Sequence, residues 1–161
     1  MNSELQTCNV IFQSNILIAL ATMSSSIPST MQAIVAHKYG TPSEVLHLEQ
    51  VPVPKPHGRD LLVRLYSGAT NPVDYKKLNN FGNTSAEVDN PLIAGYDGAG
   101  VVEAVGPDAH FYKVGDQVYF AGALNRAGTF AEYTVVSTTV LGKFLSAHIR
   151  VGRLIQSFTG G

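Results

Sequence analysis

The chain of 161 residues is short of the residue types from which metal, disulfide and nucleic-acid sites are built. Its one cysteine, Cys8, excludes an intrachain disulfide and a cysteine cluster for structural zinc. The net charge of −1 offers no basic face to a nucleic-acid backbone. The five histidines lack the paired spacing of a zinc site, so we expect surface or structural roles for His37, His47, His57, His110 and His148. The sequence therefore predicts no metal, no nucleic-acid partner and a reducing, cytoplasmic compartment.

Long apolar runs and an early positive charge are absent as well. Residues 10–23 are weakly apolar but are interrupted by the polar residues 13–15, whereas a membrane span needs about 20 apolar residues. A secretory signal begins with a positive region, and no Lys or Arg precedes Lys38. We expect a poorly ordered leader and linker over residues 1–30 and no membrane partner. The three methionines leave three candidate starts, Met1, Met23 and Met31.

No motif for a nucleophile or for a complete phosphate site is present. No serine stands in a G-x-S-x-G context. The glycine cluster from Gly95 to Gly100 has the spacing G-x-x-G-x-G, whereas the Rossmann fingerprint is G-x-G-x-x-G between a strand and a helix. Here a strand follows, so no helix amino terminus is available for a pyrophosphate. The sequence predicts no complete dinucleotide site.

Short apolar runs with frequent turns make up most of the rest. Alternation of apolar and polar residues predicts strands at residues 32–37, 45–50, 60–69 and 128–136, and two or more in the glycine-rich unit 91–120. The last has turns near residues 106–108 and 114–116. A length of about one domain with many strands and little helix favours a mainly β fold with short helices, a barrel or a sandwich.

The segments between these strands have their own signals. Residues 40–43 predict a turn, residues 51–56 an extended surface connection because three prolines lack donors, and residues 79–90 a polar loop. Asn71 as a cap, Pro72 in the first turn and Asp74 near the positive end predict a short helix over residues 71–78. Residues 141–155 predict an amphipathic helix, against which Gly142 and Gly152 count.

Several pieces in order resemble one enzyme superfamily. The start 31–35, the turn Asn71-Pro72-Val73-Asp74, the glycine unit 95–118 and the closing segment 128–133 are similar to the medium-chain dehydrogenase/reductase superfamily. The similarity is greatest to its zinc-free branch of quinone oxidoreductases and enoyl reductases. It covers about residues 31–136 and implies a GroES-like partial β-barrel, the substrate-side domain of these enzymes. The family's Rossmann domain should follow residue 136 and has no counterpart in the sequence.

The resemblance also implies a chemistry. Zinc-dependent relatives have a cysteine ligand where this chain has Asn71 and Gly-His-Glu where it has Gly95-Tyr96-Asp97, so zinc is not expected. In the zinc-free branch, NADPH reduces a quinone, an enone or another carbonyl compound, and donors stabilise the charge on the carbonyl oxygen. Without a Rossmann domain, we expect this chain to bind NADPH weakly and to be nearly inactive alone.

Five residues are the candidates for this chemistry. Asn71 and Tyr75 are candidate donors to the substrate, with a helix cap as the alternative for Asn71 and packing as that for Tyr75. Asp74 and Lys76 are candidates for orienting the cofactor ribose or Tyr75, and helix-start electrostatics is the alternative for Asp74. Asn71 and Asp97 are also candidate cofactor contacts, while a carboxylate that accepts loop amide hydrogens is the alternative for Asp97.

Three hypotheses about the whole chain follow. In the first, residues 31–136 are the substrate-side domain of a truncated or fragmentary oxidoreductase, with a leader at 1–30 and an atypical tail at 137–161. In the second, the chain is a stand-alone GroES-like binding domain without catalysis. In the third, it misfolds or associates, as a homodimer or an aggregate, through the face that a cofactor domain would cover.

Overall fold

The computed structural model describes residues 26–82, 87–123, 125–126 and 128–144. Most of the predicted leader and residues 145–155 of the predicted amphipathic helix lie outside these ranges. Within them, eight strands form two antiparallel sheets of three and five strands. Because every strand pairing there is antiparallel, the described residues include no parallel Rossmann sheet. The predicted mainly β architecture with short helices is confirmed.

The smaller sheet has the order β2-β1-β4. Strand β1 is Thr30–Lys38, β2 is Leu46–Pro52 and β4 is Glu87–Ile93. A single helical turn, α1 (Pro42–Val45), joins β1 to β2 and buries Val45. In β1 the residues that point inward alternate with exposed ones, as a half-buried strand requires.

The larger sheet has the order β7-β3-β5-β6-β8. Its members are β3 (Asp60–Ala69), β5 (Asp97–Val105), β6 (Gln117–Ala121), β7 (Tyr133–Ser137) and β8 (Leu141–Lys143). Its core consists chiefly of side chains from four strands, namely Leu61, Val63, Val102, Val118, Phe120 and Val136. A fully buried side chain of this size contributes about 1.5–3 kcal/mol, so this cluster stabilises most of the sheet.

The two sheets are joined by the segment that precedes β7. The amide of Ile34 in β1 donates to the carbonyl of Phe130 at 2.8 Å, and the amide of Leu65 in β3 donates to that of Glu132 at 2.8 Å. The Glu132 carboxylate also accepts from the amide of Gln32 at 2.9 Å. One short segment therefore pairs with both sheets and partly closes the barrel.

Helix α2 (Pro72–Leu78) follows β3 and leads into a short 3-10 turn, Asn80–Gly82. Leu78 is buried at its end, where it packs with Val45 of α1 and with Ala94. None of the helices in the described ranges has the length or the apolar character needed to cross a membrane.

Most of the predicted elements are confirmed, including a strand over residues 60–69 and a helix at residues 71–78. Four predictions were wrong in part. Residues 42–45 form a helical turn, and β2 continues through Pro52, because an edge strand tolerates a proline that donates nothing. Residues 87–90 belong to β4 rather than to a loop, and the first of them, Glu87, pairs with Lys38 of β1. Residues 141–143 form a strand against β6 rather than a helix.

The glycine-rich unit is architectural where the structure describes it. Gly95 has φ +87°, and a Cβ there would overlap the Thr129 hydroxyl and the Phe130 ring. Gly100 lies against the backbone of β3, and a Cβ there would overlap the carbonyl oxygen of Arg64. Both positions require glycine because the backbone approaches another group closely.

Strand β8 is held by an ionic cluster at the turn before β6. The buried carboxylate of Asp116 accepts from Lys113 Nζ at 2.5 Å, from the Lys113 amide at 3.0 Å and lies 2.7 Å from Lys143 Nζ. Burial raises the pKa of Asp116, but the hydrogen bonds from Lys113 and Lys143 outweigh it and lower the pKa to about 2. Residue 143 thus belongs to the same folded unit as β5 and β6.

Candidate functional site

The site is built at the start of α2. Asn71 has extended backbone dihedrals (φ −128°, ψ 158°) and precedes Pro72, so it is the N-cap residue that its sequence predicts. Its backbone amide donates to Asp74 Oδ2 at 2.5 Å, and the backbone amide of Asp74 donates to the backbone carbonyl of Asn71 at 3.0 Å. Asp74 therefore closes the first turn of the helix and fixes the backbone of Asn71.

The side chain of Asn71 reaches a second element. Its Nδ2 donates to Oδ2 of Asp97, the first residue of β5, at 2.5 Å. The carbonyl of Asp97 in turn accepts from the Thr129 hydroxyl at 3.1 Å. The side-chain amide of Asn71 is thus fixed by a carboxylate on another element, β5. Since Nδ2 has two hydrogens, a second one is left for another acceptor.

A pocket of about 530 Å³ opens beside this hydrogen bond. Its apolar wall consists of Pro42, Leu46, Leu78 and Phe130, and its polar residues are Thr70, Asn71, Asp74 and Tyr75. A concave apolar site with a few polar groups is the usual form of a small-molecule site. The size and lining suit a compact apolar ligand with one acceptor oxygen.

The other predicted residues of α2 differ in position. Tyr75 lines the pocket and is 52% exposed, so its hydroxyl is available to a ligand. Lys76 is exposed but is not part of the pocket wall. Asn71, Asp74 and Tyr75 are therefore brought together, whereas Lys76 stands apart from them.

A second, open cavity of about 420 Å³ is lined in part by Asp97. It is lined by small residues of β3 and β5 together with the exposed ring of Tyr119. Its lining residues include Ser67, Gly68, Ala69, Gly98 and Ala99. Small side chains allow a flat group to lie close to the backbone, so this surface can take a planar ring next to Asp97.

Tyr96 borders a separate cavity of about 240 Å³, and the sequence did not single out its buried hydroxyl. Its hydroxyl and Oδ1 of Asp74 are both buried, and neither has a hydrogen-bond partner among the described residues. Burial raises the pKa of Tyr96, and the charges of Asp74 and Tyr39 raise it further. The sequence showed a tyrosine where zinc-dependent relatives have a histidine. The effect of Asp74 on this tyrosine became visible only in the structure.

Metal ligands are not grouped in the described ranges: no three His, Cys, Asp or Glu residues lie close enough to share an ion. At the site, the side chains are an amide, a phenol and two carboxylates that are already hydrogen-bonded. Zinc in proteins is bound mainly by sulfur and imidazole nitrogen, so this donor set does not suit it.

Comparison with known proteins agrees with this fold. Residues 57–145, more than half of the chain, match the family described as the alcohol dehydrogenase GroES-like domain. A zinc-type alcohol dehydrogenase-like protein of Staphylococcus aureus is 40% identical over 90 residues, which are 56% of this chain and 26% of that protein. The 2-methylene-furan-3-one reductase of Solanum lycopersicum is 40% identical over 126 residues, 73% of this chain and 32% of the reductase.

Solved structures give the same result. The quinone oxidoreductase of Coxiella burnetii superposes with a TM-score of 0.65 at 28% identity, over 73% of this chain and 38% of that one. A mycobacterial protein solved with NADPH superposes with a TM-score of 0.60 at 29% identity, over 74% of this chain and 34% of that one. The chain thus spans about a quarter to two fifths of these proteins.

The two antiparallel sheets and the short helices define a mainly β domain of the GroES-like class. The chain belongs to the alcohol dehydrogenase GroES-like domain family, within the medium-chain dehydrogenase/reductase superfamily. The resemblance inferred from the sequence is confirmed.

Proposed function

We propose that residues 31–136, extended by β8, are the substrate-side domain of an NADPH-dependent, zinc-free reductase of enones or quinones. One observation carries the proposal. The side-chain amide of Asn71 lies in the wall of a largely apolar pocket and donates a hydrogen bond to Asp97. The names of similar proteins support the substrate class, since one is a furanone reductase and another a quinone oxidoreductase. Residues 1–30 are proposed as a leader.

The pocket is suited to a carbonyl compound. Its apolar wall buries the carbon skeleton, which contributes about 25 cal/mol for each Å² removed from water. The remaining hydrogen of Asn71 Nδ2 and the hydroxyl of Tyr75 then donate to the carbonyl oxygen. A charged or strongly basic ligand gains nothing from this wall.

Catalysis in this proposal is stabilisation of negative charge by the chain's own donors. When bound, NADPH supplies a hydride. Hydride addition at the β-carbon of an enone would place negative charge on the carbonyl oxygen, and a proton from water would then complete the saturated ketone at the α-carbon. Asn71 and Tyr75 stabilise the charged oxygen, and one such donor contributes about 10²–10³-fold in kcat.

The carboxylates have supporting roles in the proposal. Asp97 holds the Asn71 amide and borders the surface of small residues on which a planar nicotinamide ring fits. Asp74 fixes the Asn71 backbone. Lys76, which is outside the pocket wall, is proposed as a contact to the cofactor ribose or phosphate rather than to the substrate.

The described residues fit only one end of NADPH. The surface beside Asp97 can take the nicotinamide, but no glycine-rich loop at a helix amino terminus is found in those ranges for the pyrophosphate. We therefore propose that tight cofactor binding requires a second domain, and that this domain covers the exposed face around Tyr119.

A chimera tests the proposal. Residues 30–144 replace the matching segment of the tomato reductase, and NADPH oxidation at 340 nm is followed with cyclohexenone and with a benzoquinone. We expect turnover, with a loss of about 10²-fold in kcat for Asn71→Ala and little change for Asn79→Ala. A folded chimera that binds NADPH and an enone but transfers no hydride would contradict the proposal and favour a stand-alone binding domain.

A further inference from the structure

The apolar wall of the pocket beside Asn71 contains an aromatic ring, that of Phe130. The backbone of Phe130 is held from two sides. Its amide donates to the carbonyl of Ala94 at 2.9 Å, and its carbonyl accepts from the amide of Ile34 in β1 at 2.8 Å. The fold therefore fixes the place from which this ring projects.

The ring of Phe130 is closely packed as well. A Cβ built on Gly95 would come within 2.5 Å of one ring carbon and 2.8 Å of another, so the ring lies directly on the Gly95 backbone. Phe130 also packs against two clusters of buried residues, one around Val35 and one around Val45. Phe130 is nevertheless only half-buried and lines the pocket, so part of the residue is open to a ligand.

The polar groups of the pocket come from a different part of the fold. Asn71 and Tyr75 lie at the start of α2, whereas Phe130 belongs to the segment that precedes β7. A cavity of about 530 Å³ is in the size range of small-molecule sites, so one ligand can contact both parts. A ligand whose oxygen accepts from Asn71 then has its carbon skeleton beside the ring of Phe130.

We propose that Phe130 is a specificity-determining residue, which favours conjugated carbonyl compounds with an aryl group at the β-carbon over those with an aliphatic group of similar size. The aryl group contacts the Phe130 ring in an offset-stacked or edge-to-face arrangement. An aliphatic group buries a similar area but lacks the quadrupole that makes two aromatic rings attract each other. The inference rests on the proposed function for the carbonyl oxygen at Asn71.

Binding of two matched enones to the full chain, measured by calorimetry without NADPH, tests the inference. The probes are benzylideneacetone, which carries a phenyl group, and its analogue in which cyclohexyl replaces phenyl. We expect the phenyl compound to bind about fivefold more tightly, equivalent to about 1 kcal/mol. In Phe130→Leu the ratio of the two affinities should fall to about one, because the remaining wall is aliphatic at this position.

The ratio separates an aromatic contact from general packing, since a loss of apolar area weakens both ligands alike. The matched control is Phe111→Leu, which removes a ring that is 92% exposed and lies outside the pocket wall. Its ratio should stay at about fivefold. Equal binding of the two enones by the unaltered chain, or an unchanged ratio in Phe130→Leu, would overturn the inference. Loss of the ratio in Tyr75→Leu alone would overturn it too, because the other ring of the pocket would then be responsible.

A measurement on the unaltered chain decides the matter if Phe130→Leu does not fold. With labelled phenylalanine, NMR should show nuclear Overhauser effects between the Phe130 ring protons and the phenyl protons of bound benzylideneacetone. Their absence in the saturated complex would contradict the inference. Equal binding of the two enones leaves the proposed reduction standing, and a chimera without hydride transfer leaves the ratio interpretable. If neither enone binds, both the inference and the proposed function fail.

Discussion

The side-chain amide of Asn71 donates to the carboxylate of Asp97 at 2.5 Å, although 26 positions separate the two residues in the chain. One belongs to the start of α2 and the other to the start of β5. The bond therefore ties the helix that carries the pocket donors to the central strand of the larger sheet. A change at either residue should affect both the stability of the barrel and the chemistry of the pocket.

Replacement of Asn71 should destabilise the fold. Asn71→Ala removes a hydrogen bond to a charged group, worth about 1.5–3 kcal/mol, and leaves a half-buried carboxylate without its donor. We expect the free energy of unfolding in urea to fall by about 2 kcal/mol. Asn79→Ala, at the other end of the same helix, should change it by less than about 0.5 kcal/mol. An equal loss of unfolding free energy in the two variants would count against a stabilising hydrogen bond between Asn71 and Asp97.

Acid should weaken the cluster around Asp116. Its folded pKa of about 2 lies below the ordinary 3.8, so its stabilisation is complete above pH 4 and is lost as the pH falls toward 2. A difference of nearly two pKa units corresponds to at most roughly 2 kcal/mol, because Lys113 is largely exposed and screened. Asp116→Asn should flatten the dependence of unfolding free energy on pH between 4 and 2. A variant with the same slope as the wild type would show that other carboxylates are responsible.

Close contact between β3 and β5 should make Gly100 intolerant of a side chain. The Cβ of Gly100→Ala would overlap the Arg64 carbonyl, and forced repacking costs about 1–3 kcal/mol or more. Gly68→Ala is the matched control in β3, since its nearest atom would be 3.6 Å away. Thermal unfolding should show a large decrease in Tm for the first and a small change for the second. A similar Tm for the two variants would contradict the close approach.

The hydroxyl of Tyr75 should contribute to turnover in the chimera. Tyr75→Phe keeps the ring in the pocket wall but removes a donor to the carbonyl oxygen, so kcat should fall by about 10²-fold with little effect on stability. Tyr66→Phe is the control, because this ring is also exposed but lies under Arg64 outside the pocket. Full activity in Tyr75→Phe would assign the phenol to packing.

Local patterns predicted the elements whose residues alternate strictly. The strand of residues 60–69 and the cap at Asn71 were found because period-two alternation and N-cap chemistry are local properties. The start of β4 was missed because Glu87 pairs with Lys38 of β1, a tertiary contact that the local pattern does not reveal. The end of β2 was missed because Pro52 is tolerated only at an edge, and the sequence does not reveal which strand is an edge.

The site was predicted in part. Residue chemistry and family resemblance selected Asn71, Asp74, Tyr75 and Asp97, and the structure brings these four together around one hydrogen-bonded corner. The role of each in catalysis stays a prediction. The effect of Asp74 on the pKa of Tyr96 was not accessible from sequence, because the two residues are distant along the chain.

Binding of a carbonyl compound at Asn71 is the most direct test of the account. The side-chain amide signal of Asn71 is followed by NMR while cyclohexenone is added to the chain, with cyclohexene as a ligand of similar shape that lacks the oxygen. We predict a saturable shift of the Asn71 side-chain signal with the ketone and no such shift with the hydrocarbon. Saturable shifts of equal size with both ligands, or shifts confined to residues outside the pocket, would contradict it.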